Sequence, residues 1–267
     1  MIIGIHQLTC LYIASLMALG ANKTATSNST AASSLVFTPG DSLIKNERTN
    51  SSFIKFRDPI ITCDSASATI PFSRAGNLIV IKAKVDSVEG NFILDTGAPK
   101  LILNLTYFRH YYTHGDDHGD SGGITGTASA NPTLVENLTI GPINFFKAEA
   151  DRINLGHIEN SKGIRILGLL GMQLFKRFEM IIDYEKNLLH LRLVSKKKPA
   201  PGQHEMLKDT AAYNVFPIQI FEDKLLTYGV MAGKKLTFII DTGAESNVLD
   251  SRLPDRIFEQ VNISRRV

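Results

Sequence analysis

Two stretches of this chain share one pattern of apolar and polar positions. In each, a short apolar run ends at Asp-Thr-Gly-Ala: Phe92-Ile93-Leu94 leads into Asp95-Thr96-Gly97-Ala98, and Phe238-Ile239-Ile240 into Asp241-Thr242-Gly243-Ala244. The match extends outward at the same offset. Pro71 stands as far before Asp95 as Pro217 before Asp241, and Leu103 falls on Leu249. A shared offset over a whole segment argues that one supersecondary unit, an extended segment, a hairpin and a loop, occurs twice. A single Asp-Thr-Gly reads as an ordinary surface turn; two at the ends of matched strands read as the two halves of a paired site.

Around the first copy the pattern predicts a mostly β unit. Segments 68–75 and 78–85 have the β-branched content and partial alternation of strands, and Ser87 to Gly90 turns the chain into a third strand, Asn91 to Leu94. Gly97 permits a tight turn after that strand, with the Thr96 hydroxyl bonding inside the loop. Leu101 to Leu103 predicts a short strand, and Tyr107 to Tyr112 a brief helix or an aromatic patch. Glycines 115, 119, 122, 123 and 126 mark a hairpin or lid over 114–128. Strands are expected at 134–140 and 143–149, about Gly141-Pro142. Gly168-Leu169-Leu170-Gly171 then reads as a close-packed passage from strand to helix. A short helix is expected over Met172–Phe178, a strand over Glu179–Tyr184, and a return strand over Leu188–Val194. The second copy has far less chain after its aspartate, with one helix expected from Pro254 to Val261.

Composition sharpens this organisation. In 267 residues with 43% hydrophobic content there is enough apolar material for real cores. The charge of +3, from 29 basic and 26 acidic residues, is too balanced to indicate a nucleic-acid partner. Residues 1–21 are apolar, end in small residues and lack a basic start, which predicts an export signal or an N-terminal anchor. The expected setting is therefore secreted or periplasmic, with membrane association only if that segment is retained. Residues 22–60 read as a low-complexity tether, 61–195 as the first unit, 196–209 as a linker through Lys196-Lys197-Lys198 and its prolines, and 210–267 as a partial second unit. With the leader removed Cys63 stands alone, which excludes an internal disulfide. Sequons occur at Asn22, Asn28, Asn50, Asn104, Asn137 and Asn262.

Two facing carboxylates can share one proton, the charged one deprotonating water and the protonated one polarising a carbonyl, so the chemistry asks for Asp95 and Asp241 together and for no metal or other cofactor. Two rivals remain. One is a metal-dependent hydrolase using His114, Asp116, Asp117, His118 and Asp120, whose spacing matches no metal-ligand signature. The other is a non-catalytic protein- or peptide-binding module built on the same lobe.

Asp-Thr-Gly-Ala after an apolar strand, a Gly-rich central segment, and Gly168-Leu169-Leu170-Gly171 ahead of Ile181-Ile182-Asp183-Tyr184 together resemble the retropepsin-like aspartyl proteases, in their bacterial secreted branch. The resemblance implies an all-β acid-protease lobe, duplicated, with the second lobe incomplete, as in a truncated version of the two-lobed pepsin arrangement. It implies Asp95 and Asp241 as the catalytic pair, and Thr96, Gly97, Thr242 and Gly243 as support for the two loops. It also implies a flap near 119–128 carrying Gly122, Gly123, Ile124 and Gly126, and Leu169, Leu170 and Gly171 as a buried element beside the first loop. The activity implied is aspartic-type peptide hydrolysis of a peptide or protein substrate, within one chain or in a homodimer through first lobes.

Overall fold

The computed structural model describes residues 10–14, 58–62, 66–112, 119–123, 126–194, 216–221 and 223–261. The chain begins with β1 (Cys10–Ala14) and β2 (Ile60–Ile61), followed by the meander β3 (Ser67–Ala75), β4 (Leu78–Val85) and β5 (Val88–Asp95). Next come β6 (Leu101–Asn104), the one-turn helix α1 (Leu105–Phe108), β7 (Gly119–Gly123), β8 (Gly126–Ile140) and β9 (Ile143–Ile153). Helix α2 (Gly156–Lys162) leads to β10 (Gly168–Gly171), a 3-10 turn (Met172–Phe175), β11 (Phe178–Asp183) and β12 (Leu188–Leu193). The remainder is β13 (Gln219–Phe221), β14 (Lys224–Met231), β15 (Lys234–Ile240) and helix α3 (Asp255–Phe258).

Strands β4, β5, β10, β6, β9 and β8 pair in that order, and β8 pairs back to β4, closing a barrel. Closure removes the unpaired edges that an open sheet would expose. In β3 the alternation is plain: Ala68, Ile70 and Phe72 are buried while Thr69, Pro71 and Ser73 are exposed, as period-two geometry requires of a strand with one wet face. β3 pairs β12 over its first half and β4 over its second, so the sheet continues outward through β12 and β11 to β1. By contrast Leu78 to Ile81 in β4 are all buried, because both faces are covered. Ile79, Ile81, Phe92, Leu94, Leu103 and Phe178 belong to the main core. On the opposite side Leu78, Ile93, Ile102 and Leu169 pack with Leu155 and Ile166, and with the partly buried Ile158 of α2.

The repeated unit recurs register for register. In the first copy Val80 faces Ile93 and Ile81 faces Phe92; in the second Leu226 faces Ile239 and Thr227 faces Phe238. Even the turn repeats, with Asp86 at φ 51° and Ala232 at φ 50°. The second copy is a separate three-stranded sheet seated on the first unit: Leu225 is fully buried in the first unit's core, with Ile218, Ile220 and Ile240 packed against that core.

The structure also departs from the sequence pattern. Over Tyr107–Tyr112, read as a brief helix or an aromatic patch, the helix lies earlier, at Leu105–Phe108, where the Asn104 side chain caps it by accepting from Thr106 N–H, and the Phe108 and Tyr111 rings meet edge to face. The expected Met172–Phe178 helix is only one 3-10 turn, and β11 already starts at Phe178, while the helix expected over Pro254–Val261 narrows to Asp255–Phe258. The strands expected at 134–140 and 143–149 are parts of the longer β8–β9 hairpin. An all-β lobe was expected, whereas α2 adds a helix, ended by Gly163 at φ 66°, whose N–H donates to Glu159 O at 2.8 Å. Residues 10–14, inside the expected leader, pair antiparallel with β11. Among the described residues no helix is long and apolar enough to cross a membrane. Cys63 and residues 196–209 lie outside the described residues.

Strand β10 is short and buried throughout, and its glycines let backbones meet. A Cβ at Gly171 would stand 2.1 Å from the Lys100 carbonyl oxygen, and one at Gly168 would stand 2.1 Å from that of Ile102. Gly171→Val is therefore expected to lower stability by at least roughly 1–3 kcal/mol, the usual overpacking range, since the obstacle is backbone. Urea melts of the two proteins check this; coincident curves would mean that the approach is slack.

Candidate active site

Strand β5 ends at Asp95, and β10 runs parallel beside it with Gly171 opposite Asp95. The chain after each strand is tied to the other: Met172 N–H donates to Ala98 O at 2.8 Å, and Gln173 N–H to Pro99 O at 3.0 Å. The loop bearing Asp95 is thus held on a rigid frame, as positioning of a reacting group demands. Asp95 Oδ1 accepts from Gly97 N–H at 2.9 Å and Ala98 N–H at 3.0 Å. At the end of β15, Asp241 Oδ1 accepts from Gly243 N–H at 2.8 Å.

The two loops meet through their threonines. Thr96 N–H donates to Thr242 Oγ1 at 3.1 Å, and Thr242 N–H donates to Thr96 Oγ1 at 3.0 Å. Each hydroxyl then donates across to the opposite strand, Thr96 to Ile240 O and Thr242 to Leu94 O, both at 2.8 Å. The Thr96 hydroxyl therefore does not bond inside its own loop, as the sequence suggested, but bridges to the other copy. Both threonines are buried, so the exchange is shielded from competing water.

This seating sets the Asp241 carboxyl against Gly97 of the first loop and the Asp95 carboxyl against Gly243 of the second. A Cβ on Gly97 would come within 2.4 Å of Asp241 Cγ, and one on Gly243 within 2.4 Å of Asp95 Cγ, so glycine at each position makes room for the opposite carboxyl. Asp95 is pushed up from 3.8 to about 7, first by burial and then by the charge of Asp241, against the pull of the Gly97 and Ala98 N–H groups.

A cavity of about 270 Å³ opens beside Asp95. Leu78, Ile93, Ile158 and Leu169 give it an apolar floor, while Gly243 and Glu245 come from the second copy. Its α2 side was not foreseen. Residues 156–163, Gly-His-Ile-Glu-Asn-Ser-Lys-Gly, carry a helix-stop glycine that marks such a helix, but the polar run resembles a loop. Helix α2 is fastened by Glu159, whose carboxylate accepts from Asn104 Nδ2 at 3.1 Å, Tyr107 Oη at 2.7 Å and Ile166 N–H at 2.8 Å. Asn104 is itself fully buried, so that sequon cannot carry a glycan in the folded protein.

Gly122 and Gly123 end β7 and Gly126 begins β8, with Gly123 facing Gly126 in the hairpin register. Ile124 lies outside the described residues, as do His114, Asp116, Asp117 and His118. Among the described residues no cluster of three or more His, Cys, Asp or Glu is placed to hold a metal.

A protein-family model described as aspartyl protease matches residues 81–174, a stretch that contains Asp95 and the Leu169-Leu170-Gly171 element and stops before Asp241. Among solved structures, the chain is similar to a retropepsin-like aspartic protease from Rickettsia conorii, at 25% identity over 48% of this chain and 90% of that one, with a TM-score of 0.32. No curated protein matches. Residues 81–174 are thus similar to the aspartyl proteases, and they lie in the lobe that closes as a β-barrel.

Proposed function

We propose that this chain is an aspartic-type endopeptidase in which Asp95 and Asp241 of the same molecule activate a water against a peptide bond. The observation that carries the reading is the reciprocal Thr96–Thr242 exchange, which sets the Asp241 carboxyl against Gly97 and the Asp95 carboxyl against Gly243. In the half-protonated pair Asp95 keeps the proton and donates it to the carbonyl oxygen, while Asp241 as carboxylate removes a proton from the attacking water. The product is a tetrahedral diol that collapses with proton transfer to the leaving nitrogen, with no covalent enzyme intermediate. We assign the flap to the β7–β8 hairpin, whose Gly122, Gly123 and Gly126 suit an element that closes over an extended substrate. The apolar segment 1–21 supports a secreted or periplasmic setting.

A peptide-library digest with EDTA present, run from acidic to neutral pH, tests the reading. Cleavage is expected to persist in EDTA, to rise as pH falls from above about 7 where Asp95 regains its proton, and to fall again once both carboxyls are protonated. Asp241→Asn should abolish it. Cleavage lost in EDTA would sink the proposal, and cleavage surviving Asp241→Asn while lost in Asp95→Asn would point to a homodimer of first lobes.

A further inference from the structure

Besides the threonine exchange, the burial of Leu225 in the main core and the Lys176–Asp223 ion pair, a further connection joins the two copies. Lys162, in the last turn of α2, forms an ion pair with Glu245, four positions beyond Asp241 in the second loop. The same stretch of loop is gripped from another side: Asn77 Nδ2 donates to the Glu245 carbonyl at 3.1 Å. Gly76, at φ 63°, lies so close that a Cβ there would stand 2.7 Å from Glu245 Oε1. The helix end of the pair is fixed, because Glu159 anchors α2 through hydrogen bonds from Asn104 at the end of β6, from Tyr107 of α1 and from Ile166 N–H just before β10. The lysine side chain is only 15% exposed and the glutamate 41%, so the pair is more sheltered than a surface ion pair.

We propose that α2 is a clasp between the two copies: through Lys162 and Glu245 it seats the Asp241 loop opposite Asp95, and the same ion pair forms the neutralised polar end of the cavity beside them. The threonine exchange fixes the two loops at their centre, whereas Lys162 and Asn77 fix the outgoing arm of the second loop. Without the outer grip Asp241 pivots about Thr242. The second role follows from position. Lys162 and Glu245 both line the cavity whose floor is Leu78, Ile93, Ile158 and Leu169. A substrate side chain reaching the polar end, which His157 and Ser161 also line, meets a lysine and a glutamate that satisfy each other and so offer it no net charge. The cavity therefore selects uncharged, apolar side chains, and the selection is held by the pair rather than by size alone.

The seating role stands on geometry alone; the selection role rests on the peptidase reading. The experiment separates them. Amide hydrogen exchange of Thr242 and Gly243 is measured in the full chain for Lys162→Glu, Glu245→Lys, the double swap, and Lys162→Met, which removes the charge without adding repulsion. Exchange is expected to quicken about five- to thirtyfold in the two charge reversals, less in Lys162→Met, and to return toward wild type in the swap. Exchange of β4 and β5 amides should stay unchanged, showing that the barrel remains folded. Peptide profiling of the same proteins adds the second readout. Lys162→Met, which leaves the Glu245 carboxylate unpaired in the cavity, should gain cleavage beside Lys or Arg, and kcat should drop more than KM rises in the charge reversals. Unaltered Thr242 exchange in both reversals, or a swap no better than either, overturns the clasp. A preference unmoved in Lys162→Met overturns the selection role. A wild-type protein that cleaves no peptide overturns the peptidase reading and the selection built on it, while the exchange result still decides the clasp.

Discussion

Asp95→Asn is expected to lose peptide hydrolysis and to gain stability at neutral pH. The loss follows from removal of the shared proton, for which about a hundred- to ten-thousandfold is the usual scale of acid–base catalysis. The gain follows from linkage. Folding raises the Asp95 carboxyl from 3.8 to about 7, so between those values the folded chain holds a proton that the unfolded chain has released. The stability of the protonated form is fully present below about 3.8 and is lost as pH rises through about 7. Above that point the folded protein carries an ionised Asp95 that is buried and faces Asp241, a penalty on the order of 4 kcal/mol. Asparagine has the same shape, can still accept from Gly97 and Ala98, and never ionises. Melts at pH 8 should show Asp95→Asn higher by on the order of 10 °C, with the difference gone at pH 4. Equal melting points at pH 8 would show that Asp95 is not under this electrostatic load.

Thr242→Val should have the next largest effect. Valine keeps the volume but removes one acceptor, for Thr96 N–H, and one donor, to Leu94 O, in a buried place. Each backbone group left without its partner there costs roughly 1–3 kcal/mol, so about 2–6 kcal/mol of stability should go. Turnover should fall by roughly tenfold to a hundredfold, because this exchange is what registers the two aspartate loops against each other. Thr242→Ser keeps the hydroxyl and should retain most of both. Thr96→Val should behave alike, and the double variant should lose less than the sum, since the first removal already breaks half of a reciprocal pair. Urea denaturation and single-turnover kinetics on the four proteins check this; wild-type values for Thr242→Val would remove the exchange from the account.

The repeat was readable because it is written in residue identity. Pro, Phe, Asp, Thr, Gly and Ala return at one offset, and the strands of β4–β5 and β14–β15 follow with matched register. What joins the copies was less visible. That Thr96 and Thr242 trade hydrogen bonds depends on two loops meeting face to face, a tertiary fact with no local pattern. Lys162, Glu159 and Glu245 were equally silent, because a charged residue on a short polar helix looks like any solvated face until its partner is placed beside it. The second sheet illustrates the same limit: its strands were suggested by its apolar run, but the burial of Leu225 in the first unit's core was not.

Strand β10 sits between β5 and β6, which are neighbours in sequence yet do not pair with each other along the barrel path. During synthesis β5 and β6 therefore emerge with a gap between them that only residues 168–171 can fill. Until that segment is made, the backbone edges flanking Asp95 are unpaired and the aspartate loop has no frame. Closing the gap requires a parallel contact across a long intervening chain, the kind of step that carries a large loop-closure entropy and folds slowly. The barrel is thus completed from the middle and late, so a ribosome-bound chain that stops short of Gly171 holds its first aspartate in an unfinished sheet, open to pairing with other strands.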